Sequence, residues 1–152
     1  MNTRLGFHYF QDTNHYQARD LNLWLPELQA LNASWLVVKS PTSQAIPEEF
    51  IQGLVKGGIQ PIVQFDIPVN SEIKPDDLKV LLAAYSRWGV KHVTFFKSPN
   101  VKSSWLDGTW SQGDLVERFL DRYLPFVRVA EQNNLIPIFP ALQPGGDYWD
   151  LS

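Results

Sequence analysis

The chain has 152 residues, a formal net charge of −3, an isoelectric point near 5.5 and no cysteine. Its length and 44% hydrophobic content suit one domain with a packed core. Its acidic balance argues against nucleic acid or an anionic membrane as partner, and the absence of cysteine excludes a disulfide framework and thiolate chemistry.

Met1 to Arg4 run straight into an apolar segment, which leaves no room for a signal peptide. No apolar run approaches membrane-spanning length, so the expected setting is cytoplasmic. Leu5 to Phe10 reads as a first strand, followed by a loop that holds Asp12, His15 and Tyr16. Asp20 is a candidate cap for a helix reaching about Leu31, with Leu21, Leu25, Leu28 and Leu31 at helical spacing. Pro26 falls inside that pattern, which allows the regular helix to begin only there. Asn32 tolerates the left-handed conformation and stops it. Trp35 to Lys39 is a second strand.

The cycle repeats. Pro47-Glu48-Glu49 opens a short helix closed by Gly57-Gly58, and Gln60 to Asp66 is a third strand. Pro75-Asp76-Asp77 opens a helix closed by Gly89, and His92 begins a β-branched and aromatic fourth strand that Pro99 bounds. After a long polar loop, Asp114 to Asn133 forms the longest helix, with Pro125 within it as a kink point. Leu135 to Phe139 is a fifth strand, and Gln143 to Ser152 is a loop containing Gly145-Gly146.

This β-α alternation, with strands of near-continuous Val, Ile and Phe, implies an α/β fold with a parallel sheet covered on both faces. Right-handed crossovers allow two arrangements, a flavodoxin-like open sheet or part of a β/α barrel, which needs about 250 residues when whole.

The strand ends favour the barrel. Leu5-Gly6-Phe7-His8-Tyr9, Leu31 to Val38, Phe96-Lys97-Ser98-Pro99-Asn100 and Pro137 to Leu142 together resemble the first half of a barrel-type glycoside hydrolase of the clan that uses two glutamates. The resemblance runs over essentially the whole chain. It implies a partial, TIM-barrel-like domain of about five strands, in sheet order one to five, with helices outside, spanning residues 1–152. It also implies a Gly-Asn-Glu-Pro-Asn-like motif after the fourth strand, whose Glu is the general acid/base. Pro99 and Asn100 match that motif, whereas Lys97 stands where Asn is expected and Ser98 where Glu is expected. The family's nucleophile lies near a seventh strand that this chain does not reach. Retaining glycosidases need two carboxyl groups about 5–5.5 Å apart, and a serine hydroxyl does not replace a tuned carboxylic acid. No catalytic residue is therefore assigned, and the chain alone is expected to lack hydrolase activity.

Candidate ligand-binding residues sit where strands end. Lys39, Asp66 and Lys97 end consecutive strands and should be neighbours, as a sugar-binding ring, a structural ion-pair cluster, or a lysine pair of aldolase type. His8 and Tyr9 end the first strand, Ser98 and Asn100 follow the fourth, and Gln143 opens the last loop. Trp105 and Trp110 are either flat platforms for sugar rings or loop anchors over a core edge. His8, Asp12 and His15 have no metal-ligand spacing, and Gly145-Gly146 lacks the context of a nucleotide-binding loop, so no metal or cofactor is expected.

The expected ligand is a carbohydrate. The rival readings are a non-enzymatic interaction module and a flavodoxin-like protein with another ligand. Five strands cannot close a barrel of about eight. The edges Leu5–Phe10 and Leu135–Phe139, and an inner face including some of Val37, Val63, Val93, Phe95 and Ile138, would then lie open. A homodimer, or the remainder of a longer chain, is expected to cover them.

Overall fold

The computed structural model describes residues 3–105, 110 and 113–144. Five strands, β1 (Gly6–His8), β2 (Trp35–Lys39), β3 (Gln60–Phe65), β4 (His92–Phe95) and β5 (Ile136–Ile138), form one parallel sheet in the order β1-β2-β3-β4-β5. Four helices connect them: α1 (Ala18–Ala30), α2 (Glu48–Lys56), α3 (Lys79–Arg87) and α4 (Leu115–Gln132). A 3-10 turn, Pro75–Leu78, leads into α3. Sheet order equals sequence order, as a barrel requires and a flavodoxin-like sheet does not.

Each crossover moves one strand along in the same direction, so right-handed connections put all four helices on one face. The burial pattern agrees. Leu36, Val38, Val63, Phe65, Val93 and Phe95 are essentially inaccessible, while their neighbours Trp35, Val37, Lys39, Gln60, Ile62 and Gln64 are only half-buried. The expectation of cover on both faces is corrected accordingly, since among the described residues helices lie on one face only. Of the side chains considered for the open face, Val63, Val93 and Phe95 point into the helix layer, and Val37 and Ile138 belong to the open side.

The helix boundaries follow local chemistry. α1 begins at Ala18 rather than at Asp20 or Pro26. Asp20 acts from inside the first turn, where its carboxylate accepts the Gln17 N–H at 2.9 Å. Pro26 is then in the helix interior, where it removes one backbone donor. The helix ends share one device. Asn32, Gly58, Gly89 and Asn134 have φ of 54°, 82°, 97° and 58°. In each case the next residue (Ala33, Ile59, Val90 or Leu135) donates its N–H back to the helix, to Leu28, Leu54, Tyr85 and Ala130 carbonyls at 2.9–3.0 Å. This is the six-to-one bond of a Schellman ending, which needs a left-handed residue that Gly and Asn tolerate best. The donating residue is apolar and buried each time, so each helix stop also seeds the next strand.

Both sheet edges are apolar. Beside β1, Phe7, Phe10, Trp24, Leu28 and Leu31 line a groove of about 290 Å³. Beside β5, Leu115, Val116, Phe119, Leu120, Phe139 and Leu142 line one of about 170 Å³. Ile136 spends its N–H on Lys91 O at 2.8 Å in the β4 direction. Pro137 therefore faces outward and offers no donor to a further strand.

Tyr9, Tyr16, Tyr85 and Tyr123 are buried, and burial holds all four phenols above their usual value. Tyr9 and Tyr16 stack with ring centroids 5.8 Å apart, and Phe50 packs against both. Tyr85 O–H lies 2.6 Å from Ser40 Oγ and accepts the Ile46 N–H at 2.8 Å. Raised phenol values set the direction of the alkaline response. Once pH passes about 10, unfolded phenols ionise while folded ones keep their protons, so the unfolded state binds fewer protons and stability falls. The urea midpoint should hold below pH about 10 and decline steeply above it, with phenolate absorbance appearing together with unfolding. More than one phenolate per chain appearing at the ordinary pH with an intact near-ultraviolet dichroism spectrum would count against this packing.

Candidate functional site

The C-terminal strand ends meet at one rim of the open face. Register places Lys39 beside Gln64, Gln64 beside Thr94, and Thr94 beside Ile138. Strand alternation puts Trp35 and Val37 on the same face as Lys39, and Ile62 on the same face as Gln64. Trp35, Val37, Ile62, Gln64, Thr94 and Ile138, with His8, Gln11, Phe96, Lys97 and Ser98, border a cavity of about 370 Å³. A second cavity of about 380 Å³ adjoins it, bordered by Asp66, Pro68, Ser103, Ser104 and Gln143, and shares Lys97 and Ser98 with the first.

Two of the three expected neighbours form an ion pair. Lys39 Nζ lies 2.6 Å from Asp66 Oδ2, with the side chains 16% and 29% exposed. Gln64 Nε2 donates to the other carboxylate oxygen at 2.5 Å. The Asp66 carboxylate is thus engaged on both oxygens. Lys97 stands apart: it is exposed and makes no ion pair among the described residues. The mouth therefore holds a Lys39–Asp66 pair and, in Lys97, a cation that takes no part in that pair.

The loop after β4 is shaped by backbone strain and by its own side chains. Phe96 and Ser98 are both in the left-handed region, with φ of 69° and 44°. The Phe96 ring, instead of following strand alternation, packs against Phe119, Tyr123 and Phe126 of α4. Ser104 Oγ donates to Lys97 O and Ser98 O at 2.9 and 2.8 Å. Asn100 exchanges two hydrogen bonds with the Gln143 backbone, at 2.6 and 2.9 Å, and so clips the loop after β5 to the loop after β4. From α4, Arg122 donates to Val69 O and Ser71 O at 3.1 and 2.7 Å and also to Ile73 O. The loop after β3 is fixed by these bonds, and burial lowers the pKa of that guanidinium.

Several candidates fall elsewhere than the mouth. Tyr9 follows His8 directly, and adjacent strand residues point to opposite faces, so only one of them can face the cavity. His8 is the one that lines it. Tyr9 is buried on the helix side, with its hydroxyl donating to His15 O at 2.8 Å. Trp105 is 5% exposed, and its indole Nε1 donates to Pro99 O at 2.8 Å while Arg118 covers the ring at 5.0 Å. It anchors the loop, and no free face is left for a sugar. Trp110 is partly buried against the core. Asn100 is buried and spends its amide on Gln143, so its role is to join loops. Gly145 and Gly146 lie outside the described residues.

Gln64, Thr94 and Trp35 also line the mouth, although no motif in the sequence marks them. Alternation from Lys39 and Asp66 would have found Trp35 and Gln64. A Cβ on Gly6 would fall 1.9 Å from a Trp35 ring carbon, so the indole lies directly over that glycine on the open face. Among the described residues no three His, Asp or Glu side chains group to hold a metal ion. Asp12 and His15 form a local pair at 2.7 Å, and the Asn14 N–H and His15 hold that carboxylate below its usual range.

The chain matches no protein-family model and no curated protein. It is similar in structure to an L-ribulose 3-epimerase, with a TM-score of 0.60 and 12% sequence identity over 89% of this chain and 48% of that one. The chain spans about half the length of that epimerase, and the likeness at this identity is one of fold. Among the described residues no helix is long and apolar enough to cross a membrane.

The anchoring role of Trp105 is directly testable. Trp105→Phe removes the Pro99 hydrogen bond at a buried site and should cost about 1–2 kcal/mol in urea unfolding. Trp105→Ala should cost about 3–5 kcal/mol. Losses below 0.5 kcal/mol (roughly the surface-substitution range) for both would return Trp105 to the surface.

Proposed function

We propose that residues 1–152 form a single β/α domain corresponding to the first half of a glycoside-hydrolase-type barrel, and that its mouth binds saccharide without cleaving it. The carrying observation is the cavity of about 370 Å³ at the strand ends, where His8, Gln11, Gln64, Thr94, Lys97 and Ser98 gather beside Trp35 and Ile62. Sugars present hydroxyls at their edges and C–H patches on their faces. Hydrogen-bonding groups around an aromatic and aliphatic floor complement both. The shared fold of an enzyme named for L-ribulose supports a carbohydrate ligand, and the absence of cysteine is in keeping with a cytoplasmic setting.

Binding without hydrolysis follows from the acids available. Asp66 is the only carboxylate among the described residues lining the two mouth cavities, and both its oxygens are engaged. Proton donation with attack from the opposite side needs two carboxyl groups, and Ser98 supplies none. Titration of labelled protein with neutral disaccharides should shift amide signals around Lys39, Gln64, Thr94 and Ser98, with affinity of about millimolar order. Asp66→Ala should weaken binding several-fold, because Lys39 and Gln64 lose the group that orients them. Aryl glycosides should not turn over. No sugar-induced shift at the mouth would end the binding reading, and turnover abolished by Ser98→Ala would end the non-catalytic one.

The apolar edges favour a second reading, association. The grooves beside β1 and β5 flank opposite ends of a sheet that is half a barrel in extent. A second copy related by a two-fold axis would bring β1 of each against β5 of the other. Light scattering at micromolar concentration should then give twice the 17.4 kDa of one chain. A stable monomer that binds no apolar dye would refute it.

A further inference from the structure

We infer that the mouth selects a saccharide carrying one anionic group, a carboxylate or a phosphate, and that Lys97 is the side chain that reads it. The inference rests on the mouth being a sugar site and adds the ligand's charge. The first argument is the charge balance. Among the described residues, the ion-forming side chains lining the two adjoining cavities are Asp66, Lys97 and His8. Lys39, 2.6 Å from Asp66, cancels that carboxylate, and Gln64 takes its other oxygen. What is left is the Lys97 ammonium, which borders both cavities and has no ion pair among the described residues.

The second argument is independent of charge and concerns how Lys97 is held. It lies between two non-glycine residues in the left-handed region, Phe96 and Ser98, a conformation that persists only where surrounding contacts over-determine it. Those contacts are present. The Phe96 ring is wedged among three aromatic rings of α4, and its N–H donates to Phe65 O at 2.9 Å. The Lys97 and Ser98 carbonyls are held by Ser104 Oγ, the Ser98 carbonyl also by Val101 N–H, and the Pro99 carbonyl by the Trp105 indole. The Lys97 side chain takes no part in these bonds, so a strained and pinned turn presents an unpaired ammonium at the junction of two cavities. A neutral sugar gains little from a solvated ammonium. An anionic one gains a charge-assisted hydrogen bond, about twice as strong as a neutral one, with the Ser98 and Ser103 hydroxyls lining the same cavity.

The test is a titration, followed by tryptophan fluorescence and amide shifts, with methyl glucoside, methyl glucuronide, glucose 6-phosphate and inorganic phosphate. One or both anionic sugars should bind about tenfold or more tightly than the glucoside, with an advantage that shrinks as salt rises. The two anionic sugars separate a carboxylate ligand from a phosphate one. Lys97→Gln should reduce the ratio of anionic to neutral affinity to about one, while Lys97→Arg and the nearby Lys102→Gln keep it. An unchanged melting temperature for Lys97→Gln separates lost recognition from lost folding. Glucoside binding as tight as both anionic sugars overturns the inference while leaving the sugar site standing. A preference that survives Lys97→Gln, or inorganic phosphate binding as tightly as the sugar phosphate, also overturns it. Absence of binding by every sugar overturns both.

Discussion

A parallel sheet whose spatial order repeats its sequence order has no choice about where its helices go. Each right-handed crossover advances one strand in the same direction, so α1 to α4 stack on one face and the other face is left to the strands. Leu36, Val38, Val63, Phe65, Val93 and Phe95 form the core because that constraint turns them toward the helices. The alternate residues, from Trp35 to Gln64, become an open surface by the same rule. Core, cavity and apolar edges are three results of one topology.

The mouth is built from loops held rigid by a few polar contacts. Arg122 fixes the loop after β3 from α4, and the Val69 N–H bonds Ser104 O at 3.1 Å, joining that loop to the next. Ser104 and Trp105 hold the strained turn after β4, and Asn100 ties it to the segment after β5. Ordering a residue's backbone costs roughly 1–2 kcal/mol of conformational entropy. Several well-formed hydrogen bonds per loop, each about 1 kcal/mol net, together with aromatic packing offset much of that cost before a ligand arrives. A site fixed in advance leaves less ordering for the ligand to do.

Much of the fold was legible in the residues. The apolar run Trp35–Lys39 coincides with β2, and Asn32, Gly58, Gly89 and Asn134 mark helix stops by their tolerance of the left-handed region. The strand ends were also legible, so Lys39 and Asp66 were brought together correctly. Consecutive residues at a strand end do not share a direction. His8 and Tyr9 therefore part, and the same alternation separates Val37 from Val63 and Phe95. Trp105 illustrates a different limit. An indole in a polar loop reads equally as platform or anchor, and only the carbonyl of Pro99, brought close by the strained turn, decides between them. No local pattern announces that Ser104 will hold two carbonyls six and seven residues back.

The repeated helix ending has a consequence for how the chain is made. Each α-helix is closed by hydrogen bonds within itself and its next three residues, and each strand after the first pairs with the strand just before it in the sequence. No pairing waits for a distant strand to be synthesised. As a chain leaves the ribosome, amino end first, a finished unit can offer its exposed edge as the template for the next strand, so the sheet grows outward in one direction. At every stage of that growth one raw edge travels with the newest strand. In β5 that edge carries Pro137, whose missing N–H gives the leading strand one fewer donor for a stray partner.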